Sequence, residues 1–175
     1  MKYLEVRRHS KRNHSQPHLS QAGVSLARQV GNGMGHFERV VTSTLPRAFD
    51  TAIAMGYAVD YELDELMPAD GLVSTEVDLD ASFADVARAV KTGRHAANYA
   101  QEMAKLWREL ITLAGDGGSV LVVTHGSVIE LGVVACLPQA DANAWGRAAS
   151  YCEGARLTFE NDAFVSAEIL RVSQH

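Results

Sequence analysis

The run Ser119-Val120-Leu121-Val122-Val123-Thr124 constrains this chain most. Four aliphatic residues in succession leave no polar face, so the segment suits a strand covered on both sides, as in a parallel sheet. Parallel strands need long crossovers, usually helical. The chain should therefore alternate strands and helices around this run.

Its neighbours fit that expectation. Lys2 to Arg8 reads as a strand with Leu4 and Val6 on its buried face. A polar loop runs from His9 to His18. Ser20 can cap a helix through Val24, Leu26, Ala27 and Val30 that ends at Gly31-Asn32-Gly33. Arg39–Thr42 is a second strand. Ser43 or Thr44 is expected to cap the next helix, with Pro46 in its first turn. Ala58–Leu63 suits a third strand, and residues 64–80 look irregular. Helices are predicted over Phe83–Lys91, Tyr99–Ala114 and Ser127–Cys136. A hairpin over Ala155–Val172 turns at Asn161-Asp162. The pattern predicts an α/β fold, a three-layer α/β/α sandwich with a mainly parallel sheet. One domain over 1–175 is expected, with a small cap-like insertion around 64–98.

Hydrophobic residues make up 47% and charged residues 21%, which fits a globular chain and argues against disorder. The net charge of -5 argues against nucleic-acid or anionic-membrane partners. The start, up to Ser10, has too short an apolar run for a signal peptide, so a soluble, cytoplasmic protein is expected. Charge is unevenly distributed. Arg7, Arg8, Lys11 and Arg12 crowd together, whereas Ala48–Ala87 contains no lysine or arginine and many carboxylates. Cys136 and Cys152 form no metal-ligand spacing, so no structural metal is expected.

Two histidines follow strands: His9 ends the first and His125 ends Val120–Thr124. Ligands of open α/β sheets bind beyond the carboxyl ends of strands, so the two could face one pocket. They could equally be unrelated loop residues in a chain with seven histidines. Arg8, Arg12 and Arg47 lie at matching positions, and guanidinium groups bind phosphate oxygens bidentately. The simpler alternatives are an Arg47 paired with Asp50 and an Arg8 bonded to a neighbouring carboxylate.

These residues carry a family resemblance. Arg8-His9-Ser10 resembles the Arg-His-Gly signature of the histidine phosphatase (phosphoglycerate mutase-like) superfamily. Leu19-Ser20-Gln21-Ala22-Gly23 is similar to its Leu-Thr-x-x-Gly stretch. Ser43-Thr44-Leu45-Pro46-Arg47-Ala48 with Thr51-Ala52 resembles Ser-x-Leu-x-Arg-Ala-x-x-Thr-Ala. Leu63-Asp64-Glu65 is similar to Leu-x-Glu, and Val123-Thr124-His125-Gly126 to the second histidine motif. The five occur in family order.

The resemblance implies a phosphoglycerate mutase-like fold and a phosphomonoester hydrolase that works without cofactor or metal. It implies that His9 is the nucleophile, that Arg8, Arg47 and His125 hold the phosphoryl group, and that Glu65 donates a proton. Arg12 is a further possible phosphate contact. The substrate would be a phosphorylated small molecule or a phosphoprotein. The short, net acidic span between Glu65 and His125 favours a phosphatase over a mutase-type phosphotransferase, which usually has a substantial basic cap. A non-catalytic phosphate-binding module is a third reading, supported by Ser10 in the glycine position. If the backbone there needs positive φ, a side chain costs about 1 kcal/mol. Arg7 stands where an apolar residue is usual and could meet Glu5. Glu130, one turn after Gly126, could reach the pocket or orient a neighbour.

Overall fold

The computed structural model describes residues 1–173. Its elements alternate as expected: β1 (Lys2–Arg8), α1 (Gln21–Gly31), β2 (Arg39–Ser43), α2 (Pro46–Ala54), β3 (Tyr61–Leu63), α3 (Gly71–Ser74), α4 (Phe83–Thr92), α5 (Arg94–Ile111), β4 (Ser119–Thr124), α6 (Val128–Cys136), β5 (Gly154–Glu160) and β6 (Ala163–Leu170). Short 3-10 turns lie at Asp64–Leu66 and Ala142–Trp145.

The sheet order is β3-β2-β4-β1-β5-β6. The first four strands are parallel, and β5 and β6 add an antiparallel edge. The aliphatic run forms β4, with every residue buried between β2 and β1. Asn161 and Asp162 adopt positive φ (49° and 62°), the conformation that a tight hairpin turn between β5 and β6 requires.

Side-chain alternation separates two faces. Leu4, Val6, Val120, Val122 and Leu157 point to one face, where they pack with α4, α5 and α6 around Trp107. Leu121 and Val123 point to the other, against Ala48 and Ala52 of α2 and Phe37. On that face β1 presents Glu5 and Arg7, which pair at 2.8 Å although both are buried. Arg7 also donates to the Cys152 carbonyl. The arginine in an apolar family position is thus neutralised two residues away on its own strand.

The 64–98 segment contributes Leu66, Val73, Val77, Phe83, Val86 and Ala96 to the same core as α5 and α6. Several boundaries differ from the sequence expectation. Helix α5 begins at Arg94, before Tyr99, because the Glu76 carboxylate accepts from His95 N–H and Ala96 N–H and so caps the helix from a distant segment. Strand β3 begins at Tyr61, after Ala58. The segment before it is held by Asp60, whose carboxylate accepts from Val40 N–H. Neither Ser43 nor Thr44 caps α2. Leu45 stands at the cap without a side-chain bond, because both hydroxyls bond elsewhere. Ser20 does cap α1, accepting from Gly23 N–H. Among the described residues, no helix is long and apolar enough to cross a membrane.

Helices α5 and α6 approach closely because Gly132 faces the Trp107 ring, which a Cβ would overlap. Gly132→Ala should therefore destabilise the fold by about 1–3 kcal/mol through overpacking, visible as a lower urea midpoint. An unchanged midpoint would show that the contact can relax.

Candidate active site

Register brings the two strand-end histidines together. In the parallel β1–β4 pair, Arg8 is opposite Thr124. His9 N–H donates to the Thr124 carbonyl at 2.9 Å, continuing the ladder one step. His9 and His125 consequently lie side by side, with ring centroids 5.2 Å apart. Both are buried.

The orientation of His9 is set by its own loop. Its Nδ1 lies 2.7 Å from the Ser10 carbonyl. A carbonyl only accepts, so Nδ1 carries the proton and Nε2 keeps its lone pair. Arg47 Nε lies 3.3 Å from that Nε2 and donates towards it. Arg47 reaches the site from the first turn of α2, and the alternative partner Asp50 instead bonds His18 at 2.8 Å.

Ser10 is built into the loop. Its N–H donates to Thr51 Oγ1 at 2.9 Å and its hydroxyl donates to the Gly23 carbonyl at 2.7 Å. Among the described residues, those with positive φ outside glycine are Ser127, Cys152, Asn161 and Asp162, so Ser10 carries no left-handed strain. The expected penalty for replacing the family glycine does not arise.

Arg8 lies on the opposite flank. It donates to the Ala149 carbonyl at 2.9 Å, and its guanidinium carbon lies 5.1 Å from the Tyr151 ring centre. Gly126 lets the start of the α6 segment approach this guanidinium, which a Cβ would crowd at 3.1 Å. Glu130 supports the arrangement from below. Its buried carboxylate accepts from Ala149 N–H at 2.7 Å, fixing the residue whose carbonyl holds Arg8.

Three buried polar atoms in and beneath this cluster have no partner among the described residues: Arg8 Nε, His125 Nδ1 and Glu130 Oε2. Leaving a buried donor unpaired costs about 1–3 kcal/mol. Unpaired atoms beside converging cations suit a site whose remaining partner is an anion. The other His125 nitrogen, Nε2, is occupied by Ser43 Oγ at 2.7 Å.

The electrostatics agree. Burial, offset in part by the Ser10 hydrogen bond and reinforced by Arg47, Arg8 and Arg12, lowers the His9 pKa to about 4. Burial, His9 and the same arginines Arg47 and Arg8 lower His125 to about 3. Burial and then Arg12 lower Arg47 as well. Both imidazoles are thus neutral at neutral pH, and the arginines carry the charge.

The remaining sequence candidates are placed less centrally. Arg12 is exposed on the loop, where a single bridge pairs it with Leu19, and it acts on His9 through its charge. Glu65 is exposed on the Asp64–Leu66 turn and lines a cleft with Met67, Tyr99 and Glu102. Among the described residues it makes no ion pair with a site arginine; Asp80 does, 3.8 Å from Arg8. Ser43 and Tyr151 were not anticipated. Ser43 read as a helix cap. Tyr151, 5.9 Å from His9 between ring centres, lies in a loop with no periodic signal.

A family model described as the histidine phosphatase superfamily (branch 1) matches residues 5–170. The chain belongs to the histidine phosphatase superfamily, branch 1. Solved structures share its fold at low identity. A phosphoserine phosphatase from Entamoeba histolytica, in complex with 3-phosphoglyceric acid, superposes with a TM-score of 0.71 at 15% identity over 98% of each chain. A mycobacterial glucosyl-3-phosphoglycerate phosphatase gives 0.69 at 20% identity over 99% of this chain and 100% of its own. A phosphoglycerate mutase from Bacillus anthracis gives 0.67 at 16% over 96% and 92%. A search of the curated proteins finds no match.

The lowered histidine pKa values set a pH dependence for this member of the superfamily. Each histidine is disfavoured as a cation in the folded state, so its contribution to stability is complete above pH 6.5 and is lost as pH falls through about 4 and 3. With substrate ionisation divided out, kcat/KM should stay level below pH 6.5 and bend downwards only near 4. A bend near 6.5 would contradict the burial of a neutral His9.

Proposed function

We propose that the protein is a phosphomonoester hydrolase that works through a phosphohistidine on Nε2 of His9. The observation that carries this reading is the 2.7 Å contact between His9 Nδ1 and the Ser10 carbonyl. It holds the ring in the tautomer that exposes a lone pair, at a nitrogen already faced by an arginine. A neutral imidazole needs no separate base to attack phosphorus.

Phosphoryl transfer asks a protein chiefly for positioning and charge stabilisation. In this reading Arg8, Arg47 and His125 take the equatorial oxygens, and Arg12 adds longer-range positive charge. The unpaired Arg8 Nε and His125 Nδ1 find their partners in those oxygens, so part of the binding free energy comes from satisfying groups left unpaired in the free enzyme. Attack by Nε2 forms the N–P bond and breaks the P–O bond to the leaving group. Water then attacks the phosphohistidine, and inorganic phosphate departs.

The rim supports hydrolysis over transfer to a second substrate. Asp80, beside Arg8, is 81% exposed, so that flank of the site opens to bulk water. A mutase would have to exclude that water. Supporting this preference, two of the solved structures with the same fold carry the names of phosphatases.

His9→Ala should reduce phosphomonoester turnover below detection while leaving the unfolding midpoint close to wild type. Wild-type protein quenched during turnover, in excess chelator, should carry acid-labile, base-stable phosphate that His9→Ala lacks. Turnover by His9→Ala at the wild-type rate, or loss of wild-type turnover in chelator, would contradict the reading.

A further inference from the structure

An alkoxide leaves phosphorus poorly unless it is protonated as it departs. Five carboxylates near the cluster could be considered, and the structure separates them. Glu65 is exposed beside Tyr99 and Glu102, in a cleft whose walls include none of His9, Arg47 and His125. Asp64 accepts from the Thr44 hydroxyl at 2.7 Å. Asp50 is held by His18. Glu130 is only 1% exposed and accepts from Ala149 N–H, beneath the loop that holds Arg8.

Asp80 differs from these in two respects. Its carboxylate lies 3.8 Å from Arg8 Nη1, so it touches the cation that precedes the nucleophile in the chain. It is also 81% exposed, so it can exchange protons with water between turnovers. The segment carrying it is anchored at both ends. Val77 and Phe83 are buried in the main core, and Ser82 caps α4 by accepting from Asp85 N–H. Between them the Leu79 carbonyl accepts from Ser127 Oγ at 3.4 Å, which ties the segment to the start of α6 next to His125 and Gly126. A phosphoryl group bound by Arg8 therefore has Asp80 as its neighbour.

We propose that Asp80 is the proton donor to the leaving oxygen. The proposal rests on the phosphatase reading above. In the free enzyme Asp80 pairs loosely with Arg8. When a phosphoryl dianion enters, Arg8 turns to its oxygens, and a carboxylate beside a dianion binds a proton more readily. His9 Nε2 then forms its bond to phosphorus. The P–O bond breaks, its electron pair goes to the leaving oxygen, and the Asp80 proton joins that oxygen. In the second step the Asp80 carboxylate takes a proton from the attacking water. The new O–P bond forms, the N–P bond breaks, and its pair returns to Nε2. Asp80 finishes protonated, as it began the first step.

The test compares Asp80→Asn and Glu65→Gln on two substrates, a simple alkyl phosphate and p-nitrophenyl phosphate, by single-turnover kinetics. Asp80→Asn should slow cleavage of the alkyl ester by about 100-fold or more, the scale of general acid catalysis. It should slow p-nitrophenyl phosphate by less than about tenfold, because that leaving group needs little protonation. Retained p-nitrophenyl phosphate cleavage also reports that the variant is folded. Asp80→Glu, which keeps an acid, should recover part of the alkyl-ester rate. Equal losses on both substrates, or no loss on either, would overturn the proposal. So would the selective alkyl-ester loss appearing in Glu65→Gln instead. Wild-type protein that cleaves neither ester would overturn the phosphatase reading itself, an outcome distinct from the others.

Discussion

The backbone hydrogen bond from His9 N–H to the Thr124 carbonyl, 2.9 Å long, extends the parallel β1–β4 pairing one residue beyond both strands. Most of the site depends on that step. It places the residue after β1 beside the residue after β4, and those residues are His9 and His125. The aliphatic β4, buried on both faces, fixes the register, because sliding it by one residue would exchange Val120 and Val122 for Leu121 and Val123 between two different cores. The chemistry at the sheet edge thus inherits its precision from apolar packing in the middle of the sheet.

Around this pair the protein gathers positive charge without neutralising it. Arg47 comes from α2, Arg8 from β1, and among the described residues no carboxylate closer than Asp80 balances Arg8. Holding half-buried cations and unpaired donors together is unfavourable in the free protein. The surrounding structure sustains it through neutral anchors: the Ser10 carbonyl for His9, the Ala149 carbonyl for Arg8 and the Ser43 hydroxyl for His125. Each anchor fixes a direction without cancelling charge. By contrast, where charge serves structure alone it is fully paired. Glu5 meets Arg7 on the α1–α2 face, and Glu153 is held by Arg147 and Arg171 near the C-terminal strand.

Much of this could be read from the sequence because its causes are local. The run of β4, the Ser20 cap and the Asn161-Asp162 turn each follow from a few adjacent residues, and all appear where expected. The placement of His9, His125 and Arg47 also followed, because each lies at a strand end or in the first turns of a helix. What the sequence hid depends on distant partners. Glu76 caps α5 from nineteen residues or more upstream, so the true start of that helix had no local signal. Ser43 suits a cap because serine is favoured there and Pro46 marks the helix's first turn, yet its hydroxyl is taken by His125 across the sheet. Ser10 looked like strain, and it is a hydrogen-bonded link between α1 and α2. Tyr151 and Asp80 lie in irregular segments, where only the folded chain shows which residues meet Arg8.

The central claim is that the fold presents Nε2 of His9, in its neutral tautomer, to phosphorus. Histidine-selective 15N labelling with NMR tests it most directly. At neutral pH the His9 ring should show a protonated Nδ1 and an unprotonated Nε2, and during turnover a 31P coupling should appear at Nε2 of His9. A protonated Nε2 in the free protein, or a phosphorus coupling at His125 instead, would contradict the account.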